Sequence, residues 1–200
     1  MELPVYDLKI SDIVTDEAEV SYVALVDKPA IQRDFLAFND AEKLQFTITN
    51  EEQRIISGPL MLADTPIYRN TQRIGEHYIK FTADTIKQIA IKFSKKGYHG
   101  NVNIMHSPDM QVEGLVMFES FITDESRGIK PMAGFEDAPN GSWFGSFYVE
   151  NDQVWEAIKL GVVKGFSVEG IFNYTLPKKT AEETLMELAK ILNIEVKQQA

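Results

Sequence analysis

The hydrophobic pattern marks two helices within the first 175 residues. Apolar side chains recur at helical spacing over residues 81–93, and Thr82 stands where it can cap the first turn. A second segment, residues 151–160, begins at the capping residue Asn151 and is followed directly by Gly161, a residue type that commonly ends helices. The pattern therefore predicts one helix in each segment.

Most of the remaining apolar runs have the composition of β-strands. The run 19–26 is rich in β-branched residues, which favours a mostly buried strand over a helix. Further runs with β-strand composition occur at 5–10, 44–49, 53–62, 78–81, 102–106, 113–123, 142–150 and around Ser167. Because few helices are available to cross between parallel strands, the pattern predicts an α+β fold with a largely antiparallel sheet.

The order of these elements predicts one domain with a tail. Residues 1–175 are enough for a single buried core, and the segment 124–141, rich in Gly, Pro and charge, is typical of a surface loop. A third helix is predicted from the capping box at residues 180–183 to about Asn193. We therefore expect a domain over residues 1–175 and a helical tail over residues 176–200.

Composition and charge exclude several classes of protein. The chain of 200 residues has a net charge of −10 at pH 7, whereas proteins that bind nucleic acids present a basic face. It contains no cysteine, which removes disulfides, thiolate metal ligands and a cysteine nucleophile. No apolar run is long enough to span a membrane, and the N-terminus lacks the pattern of a secretion signal. We therefore expect a cytoplasmic protein that binds neither nucleic acid nor membranes.

The histidines are the first residues with candidate chemistry. His77, His99 and His106, together with Asp109, offer imidazole and carboxylate ligands, but their spacing matches no tight metal-binding pattern. We therefore predict no metal and no cofactor. His106 ends a predicted strand and faces a loop, so it either serves acid–base chemistry in a cleft or is a half-exposed surface histidine.

Ser167 is the second residue with candidate chemistry. It stands in Gly165-Phe-Ser-Val-Glu-Gly170, among β-forming side chains and between glycines that let another backbone come close. The segment is not the Gly-x-Ser-x-Gly elbow of α/β-hydrolases. Ser167 is then either a packed strand residue or a nucleophile, and a nucleophile requires a base, for which His106 is available on another predicted strand.

Several segments around these residues resemble one family of viral enzymes. Residues 161–170 and the strand that ends in His106 resemble parts of the tailed-phage prohead maturation proteases, and in particular their phage serine protease branch. Further similar segments are 23–30, 58–61, 66–69, 78–81, 119–122, 141–144 and 151–155. Each segment is short, and it is their shared order over residues 18–175 that carries the resemblance.

The resemblance implies a fold and an activity. It implies a β-barrel-like core with surrounding helices, similar to herpesvirus assemblin, and a serine endopeptidase domain over residues 1–175. In that scheme Ser167 attacks the scissile carbonyl, His106 takes and returns the proton, and backbone N–H groups near residues 164–167, or from a neighbouring loop, hold the oxyanion. The implied substrates are phage scaffold and major capsid proteins, cleaved inside the assembling prohead in the host cytoplasm, and the resemblance also favours a homodimer.

The resemblance leaves the third catalytic residue open among several carboxylates. Many relatives carry a Glu-Val-Ser and Pro-Ala strand after the serine, whereas the similar strand here begins at Glu19, near the N-terminus. We therefore expect a permuted strand order in which the strand of Glu19 packs beside that of Ser167 and Glu19 orients the histidine. Glu169 lies on the same strand face as Ser167 and is the local alternative, and Glu119 is a third candidate.

A function of a different class is compatible with the same residues. The acidic surface and the final helix suit a non-catalytic protein that takes part in capsid assembly or binds the scaffold, and a metal-dependent hydrolase that uses the histidines is a third hypothesis. A protease requires the side chains of Ser167 and His106 to approach within hydrogen-bond reach. We therefore expect the structure to bring these two residues together.

Overall fold

The structure is a computed structural model that describes residues 3–10, 18–27, 47–50, 53–107 and 109–176. The strands in these residues are β1 (Val5–Lys9), β2 (Val20–Val26), β3 (Thr47–Asn50), β4 (Ile55–Met61), β5 (Ile67–Thr71), β6 (Gly75–Lys80), β7 (Val102–Ile104), β8 (Leu115–Ile122), β9 (Trp143–Val149), β10 (Gly165–Gly170) and β11 (Asn173–Thr175). The α-helices are α1 (Ala83–Lys96) and α2 (Asp152–Lys159). The fold is thus α+β with strands in the majority, as the sequence predicts.

The described strands form three open sheets. Their strand orders are β11-β1-β6-β5, β10-β2-β7 and β3-β4-β9-β8. Within the described ranges, six of the eight strand pairings are antiparallel, and β1–β6 and β2–β7 are parallel. The described residues do not form the barrel-like core that the resemblance implies. Every described sheet ends in two edge strands, so the hydrogen bonding does not run around a closed ring. The largely antiparallel pairing is confirmed.

Both predicted helices form, and their caps explain why they begin and end where they do. The Thr82 hydroxyl accepts a hydrogen bond from the Thr85 N–H at 3.2 Å, and α1 ends at Gly97, whose φ of +70° is left-handed. The Asn151 side chain accepts from the Val154 N–H at 3.1 Å and so starts α2. The two helix predictions are confirmed with their capping residues.

Aromatic side chains join the helix and two of the sheets into one core. Phe93 of α1 meets Trp143 of β9 with ring centroids 5.4 Å apart, and Phe147 of the same strand meets Phe166 of β10 at 4.8 Å. All four side chains are buried. Phe166 is the residue before Ser167, so burial of its ring fixes β10 against the core and sets the direction in which Ser167 points.

The strand predictions are mostly confirmed, with two additional strands and with bounds that move by one to three residues. The strands β5 and β11 are not predicted because they are short and polar, Ile-Tyr-Arg-Asn-Thr and Asn-Tyr-Thr, and show no apolar alternation. The predicted strand 102–106 ends at Ile104, since Met105 and His106 have left-handed backbone conformations.

Parts of the prediction lie outside the described residues. These are the third helix over residues 180–193, nearly all of the helical tail, and residues 44–46 of one predicted strand. Among the helices that the structure describes, none is both long enough and apolar enough to cross a membrane.

Candidate active site

Ser167 and Asn103 flank one small residue on a single face of the sheet β10-β2-β7. In the register of this sheet, Ser167 of β10 lies directly opposite Ala24 of β2, and Ala24 lies opposite Asn103 of β7. Directly paired residues project from the same face of a sheet. Ala24 is fully buried and carries only a methyl group, so it leaves space on this face between the two polar residues of the outer strands.

His106 reaches this face because the backbone turns sharply after β7. Met105 and His106 have φ angles of 53° and 57°, a conformation that costs an L-residue about 1–2 kcal/mol. Hydrogen bonds hold the turn: the Met105 N–H donates to the Leu25 carbonyl at 3.0 Å, and the Ser107 N–H donates to the Ile104 carbonyl at 3.1 Å. Such backbone strain is often found at functional sites, and here it accompanies a histidine whose side chain is 41% exposed.

Glu169 connects Asn103 with His106. Its Oε2 accepts a hydrogen bond from Asn103 Nδ2 at 2.7 Å and lies 3.4 Å from His106 Nδ1. Asn103 is 1% exposed, and its Oδ1 has no hydrogen-bond partner among the described residues. An ionised carboxylate only accepts hydrogen bonds, so the NH₂ group of the amide must be the one that faces Glu169.

This arrangement contains the parts of a serine–histidine–acid site. With Nδ1 of His106 directed at a carboxylate, Nε2 is the ring nitrogen left to act as a base. Ser167 and His106 line the same cavity, but in the described part of the chain no hydrogen bond joins their side chains. Their approach within hydrogen-bond reach stays a prediction, because such bonds are often long in the absence of substrate.

The cavity lies beside β10 and has a volume of about 280 Å³. Ser167, His106 and Glu169 line one part of it, and the rest is lined by other residues of β10, by residues of β1, β4, β5, β6 and β11, and by residues between these strands. A pre-formed cavity that adjoins a few polar groups is the usual setting of a small binding site. The candidate chemistry therefore has room next to it for part of a ligand.

Glu19 is held away from His106 by basic side chains of α1. Its carboxylate lies 2.6 Å from Lys96 Nζ and 3.4 Å from Lys92 Nζ, and it accepts a hydrogen bond from the Tyr98 hydroxyl at 3.0 Å. Burial acts to raise the pKa of Glu19, but the hydrogen bonds from Lys96 and Tyr98 and the charges of both lysines outweigh it and lower the pKa below 4.5. No described contact joins Glu19 to the histidine.

The strand that follows Glu19 does pack where the resemblance places it. Strand β2 pairs with β10 along its length, so the expected neighbourhood of the two strands is confirmed. At the end of this pairing the Ile171 N–H donates to the Glu19 carbonyl at 2.9 Å, and a Cβ on Gly170 would collide with that carbonyl. Gly170 therefore admits the close backbone approach that its position in the sequence predicts.

The other residues considered from the sequence lie elsewhere. Glu119 accepts a hydrogen bond from the Ser146 hydroxyl at 2.5 Å, within the sheet β3-β4-β9-β8. His77 is buried with its ring edge-on to Tyr6, and His99 packs against Phe93. Among the described residues, no three side chains of the His, Asp or Glu type come together as metal ligands.

The hydrogen bonding of β2 limits which backbone groups can face an oxyanion. The Val23 N–H and the Leu25 carbonyl bond to residues of the β7 side, so Ala24 between them directs its backbone groups toward β10 and its partner Ser167. The Lys164 N–H donates to the Val26 carbonyl at 2.8 Å. Two of the N–H groups considered for the oxyanion, those of Lys164 and Ser167, therefore point toward β2.

Comparison with known proteins identifies the family. Residues 43–175 match the family model described as "Putative phage serine protease XkdF", and the chain belongs to this family. It is also 26% identical over 192 residues to the phage-like element PBSX protein XkdF of Bacillus subtilis (strain 168), an alignment that covers 84% of this chain and 64% of that protein. The chain thus spans about 64% of the length of this curated relative. No solved structure matches it.

Asn103 is the site residue that the sequence reasoning missed. It is a polar residue inside a short apolar strand, flanked by Val102 and Ile104, and that exception to the pattern is the signal that points to it. Its relation to Glu169 becomes visible only when β7 is known to pair with β2, a contact between distant parts of the chain.

Proposed function

We propose that this chain is a serine endopeptidase in which Ser167 is the nucleophile, His106 the general base and Glu169 the residue that orients His106. The observation that carries the proposal is the contact of 3.4 Å between Glu169 Oε2 and His106 Nδ1, made at a cavity that Ser167 also lines. Membership of a phage serine protease family supports the same assignment. Glu169 takes the place of Glu19 in this proposal because Glu19 is engaged by Lys96 and Tyr98.

In the proposed mechanism each residue has one task. The Nδ1–H of His106 is directed at Glu169, so Nε2 accepts the proton of the Ser167 hydroxyl as Oγ attacks the carbonyl carbon of the scissile bond. His106 then gives this proton to the leaving amine, and an acyl ester on Ser167 remains. Water attacks the ester, with His106 again taking and returning a proton, and Ser167 is regenerated.

The proposal also covers the substrates of the enzyme and the place where it cleaves them. We propose that the enzyme cleaves the scaffold and major capsid proteins of its phage during head maturation, inside the prohead in the host cytoplasm. An assemblin-like fold with a permuted strand order, and a homodimer, belong to the same proposal. All of these rest on the ordered resemblance over residues 18–175, and the pairing of β2 with β10 supports the strand order.

Co-expression with the scaffold protein of the same phage tests this function. Ser167→Ala and His106→Ala should each abolish scaffold cleavage while circular dichroism and the thermal midpoint stay close to those of the unchanged chain. Ser94→Ala, an exposed serine on α1, and His99→Ala are matched controls that should leave cleavage intact. Undiminished cleavage by both site variants would refute the protease.

One observation favours a second candidate function, a non-catalytic component of capsid assembly. In the described residues, no hydrogen bond joins Ser167 to His106, and a degenerate site would show this same geometry. This candidate predicts that the unchanged chain binds the scaffold protein without cleaving it. The co-expression experiment therefore separates the two functions directly.

A further inference from the structure

We propose that the cavity beside Ser167 is the subsite for a bulky apolar side chain of the substrate, on the residue whose carbonyl Ser167 attacks. The inference rests on the proposed function, because it takes Ser167 to be the nucleophile. It names a substrate class: polypeptides with a residue such as Leu, Met or Phe on the acyl side of the cleaved bond.

The walls of the cavity are mainly apolar and belong to the packed core. They are formed by Leu8, Leu60, Ile67, Ile79, Phe81 and Phe172. Four of these side chains are at most 5% exposed, namely Leu8, Leu60, Ile79 and Phe81. Side chains packed this tightly hold their positions, so the cavity is a pre-formed site that favours an apolar ligand.

The size of the cavity fits one large side chain. Its volume of about 280 Å³ is enough for a leucine or phenylalanine side chain. An alanine side chain would leave most of the apolar wall uncovered, so the cavity discriminates by size as well as by polarity.

The lining of the cavity includes one basic and one acidic residue, Arg69 and Glu169. Arg69 lies on β5, and its Nη1 donates a hydrogen bond to the Tyr68 carbonyl at 3.0 Å. Burial lowers the pKa of Arg69, which indicates poorly solvated surroundings. A charged substrate side chain of either sign would meet a like charge there, at Arg69 or at Glu169, and would lose its hydration among the apolar walls. An apolar side chain avoids both penalties.

The position of the cavity ties it to the proposed chemistry. Ser167, His106 and Glu169 line it together with the apolar residues. A side chain held in the cavity therefore anchors the adjoining backbone beside Oγ of Ser167, which is the orientation that an acyl-transfer site needs.

The test uses N-acetyl amino-acid p-nitrophenyl esters, which require only a nucleophile and a subsite for one side chain. With Leu, Phe, Ala, Glu and Lys esters, we expect kcat/KM for Leu and Phe to exceed that for Ala by at least about 10-fold, with the Glu and Lys esters also below Leu and Phe. Equal values for Leu and Ala would overturn the subsite. A preference for the Glu ester that Arg69→Met abolishes would replace it with an acidic subsite.

A pair of variants on β5 tests whether the preference for large apolar side chains arises at this cavity. Ile67→Trp should fill the cavity and lower kcat/KM for the Leu and Phe esters by about 10-fold or more, with little change for Ala. Asn70→Trp is the matched control, since Asn70 is exposed on the same strand and lies outside the cavity lining. Unchanged selectivity in Ile67→Trp would contradict the proposal. If this variant folds poorly, the series of esters with the unchanged chain still tests the subsite.

The Ser167→Ala variant serves as the control that separates failure of the subsite proposal from failure of the protease proposal. If Ser167→Ala hydrolyses the esters as fast as the unchanged chain, the proposed protease fails. If hydrolysis depends on Ser167 but shows no side-chain preference, the protease stands and only the subsite is refuted.

Discussion

Glu169 and His106 are 63 residues apart in the chain, yet Oε2 of the first lies 3.4 Å from Nδ1 of the second. The contact is made across β2, from the outer strand β10 to the turn that follows the opposite strand β7. It depends on the left-handed backbone at Met105 and His106, which follows Asn103 and Ile104 of β7. The site is therefore built by strand pairing rather than by a local motif.

The first prediction concerns the charge of Glu169. Glu169→Gln keeps the shape of the side chain but removes the negative charge that stabilises a protonated His106, so kcat should fall about 100-fold or more while KM changes little. Steady-state kinetics with an N-acetyl-leucine ester would measure this. Glu19→Gln is the comparison that decides between the two acids: a larger fall of kcat in Glu19→Gln would restore Glu19 as the orienting residue.

The second prediction concerns the hydrogen bond between Asn103 and Glu169. Asn103→Asp is nearly isosteric but sets a second carboxylate at the position from which Nδ2 donates at 2.7 Å. We expect it to destabilise the fold by about 1–3 kcal/mol, more than Asn103→Leu does, because two like charges then meet at a buried site. Urea unfolding at neutral pH measures the difference.

A double-mutant cycle shows whether Asn103 acts through Glu169. In Asn103→Asp with Glu169→Gln the donor and the acceptor are exchanged, so the hydrogen bond can form again and the double variant should be more stable than Asn103→Asp alone. Asn101→Asp is the control, since its amide donates to the Ser21 carbonyl and does not contact Glu169. Additive effects of the two substitutions would contradict a positioning role for Asn103.

Local signals predict the helices and many of the strands, but long-range pairing decides the site. Thr82 and Asn151 mark helix starts because a cap acts within one turn of the chain. Nothing local shows that β7 lies parallel to β2, so the pairing that sets Asn103 beside Glu169 is not legible from the sequence. The resemblance of strands favours Glu19, and the pairing of β2 with β10 that it implies is correct, but the Glu19 side chain contacts Lys96 of α1 instead of His106.

The third prediction is a pH dependence of stability at Glu19. The contacts with Lys96, Lys92 and Tyr98 lower the pKa of this carboxyl below 4.5 in the folded chain. A lowered pKa means that its stabilisation is fully present above the unfolded value and is lost as the pH falls through the folded one. Glu19→Gln should therefore lower the free energy of unfolding by about 1–3 kcal/mol at pH 7, and this difference should shrink in acid.

Urea unfolding at several pH values measures the effect at Glu19. Glu156→Gln is the control, because Glu156 forms an ion pair with Lys159 on the surface of α2 and should contribute less than about 1 kcal/mol. A difference between Glu19→Gln and the unchanged chain that stays constant down to strong acid would show that the carboxylate charge is not what stabilises β2 against α1.

The last prediction concerns the gap that Ala24 leaves on the face of the sheet. Ala24 is fully buried between Ser167 and Asn103 in the register. Ala24→Leu would put three more carbon atoms into this space, which would separate Ser167 from the Asn103–Glu169–His106 contacts and strain the packing by about 1–3 kcal/mol. Because the reacting groups would be displaced, kcat should fall by about 100-fold, whereas Ala24→Gly should keep most of the activity. Ester hydrolysis and the thermal midpoint would be measured on both variants; a fully active Ala24→Leu enzyme would show that the chemistry does not take place on this face of the sheet.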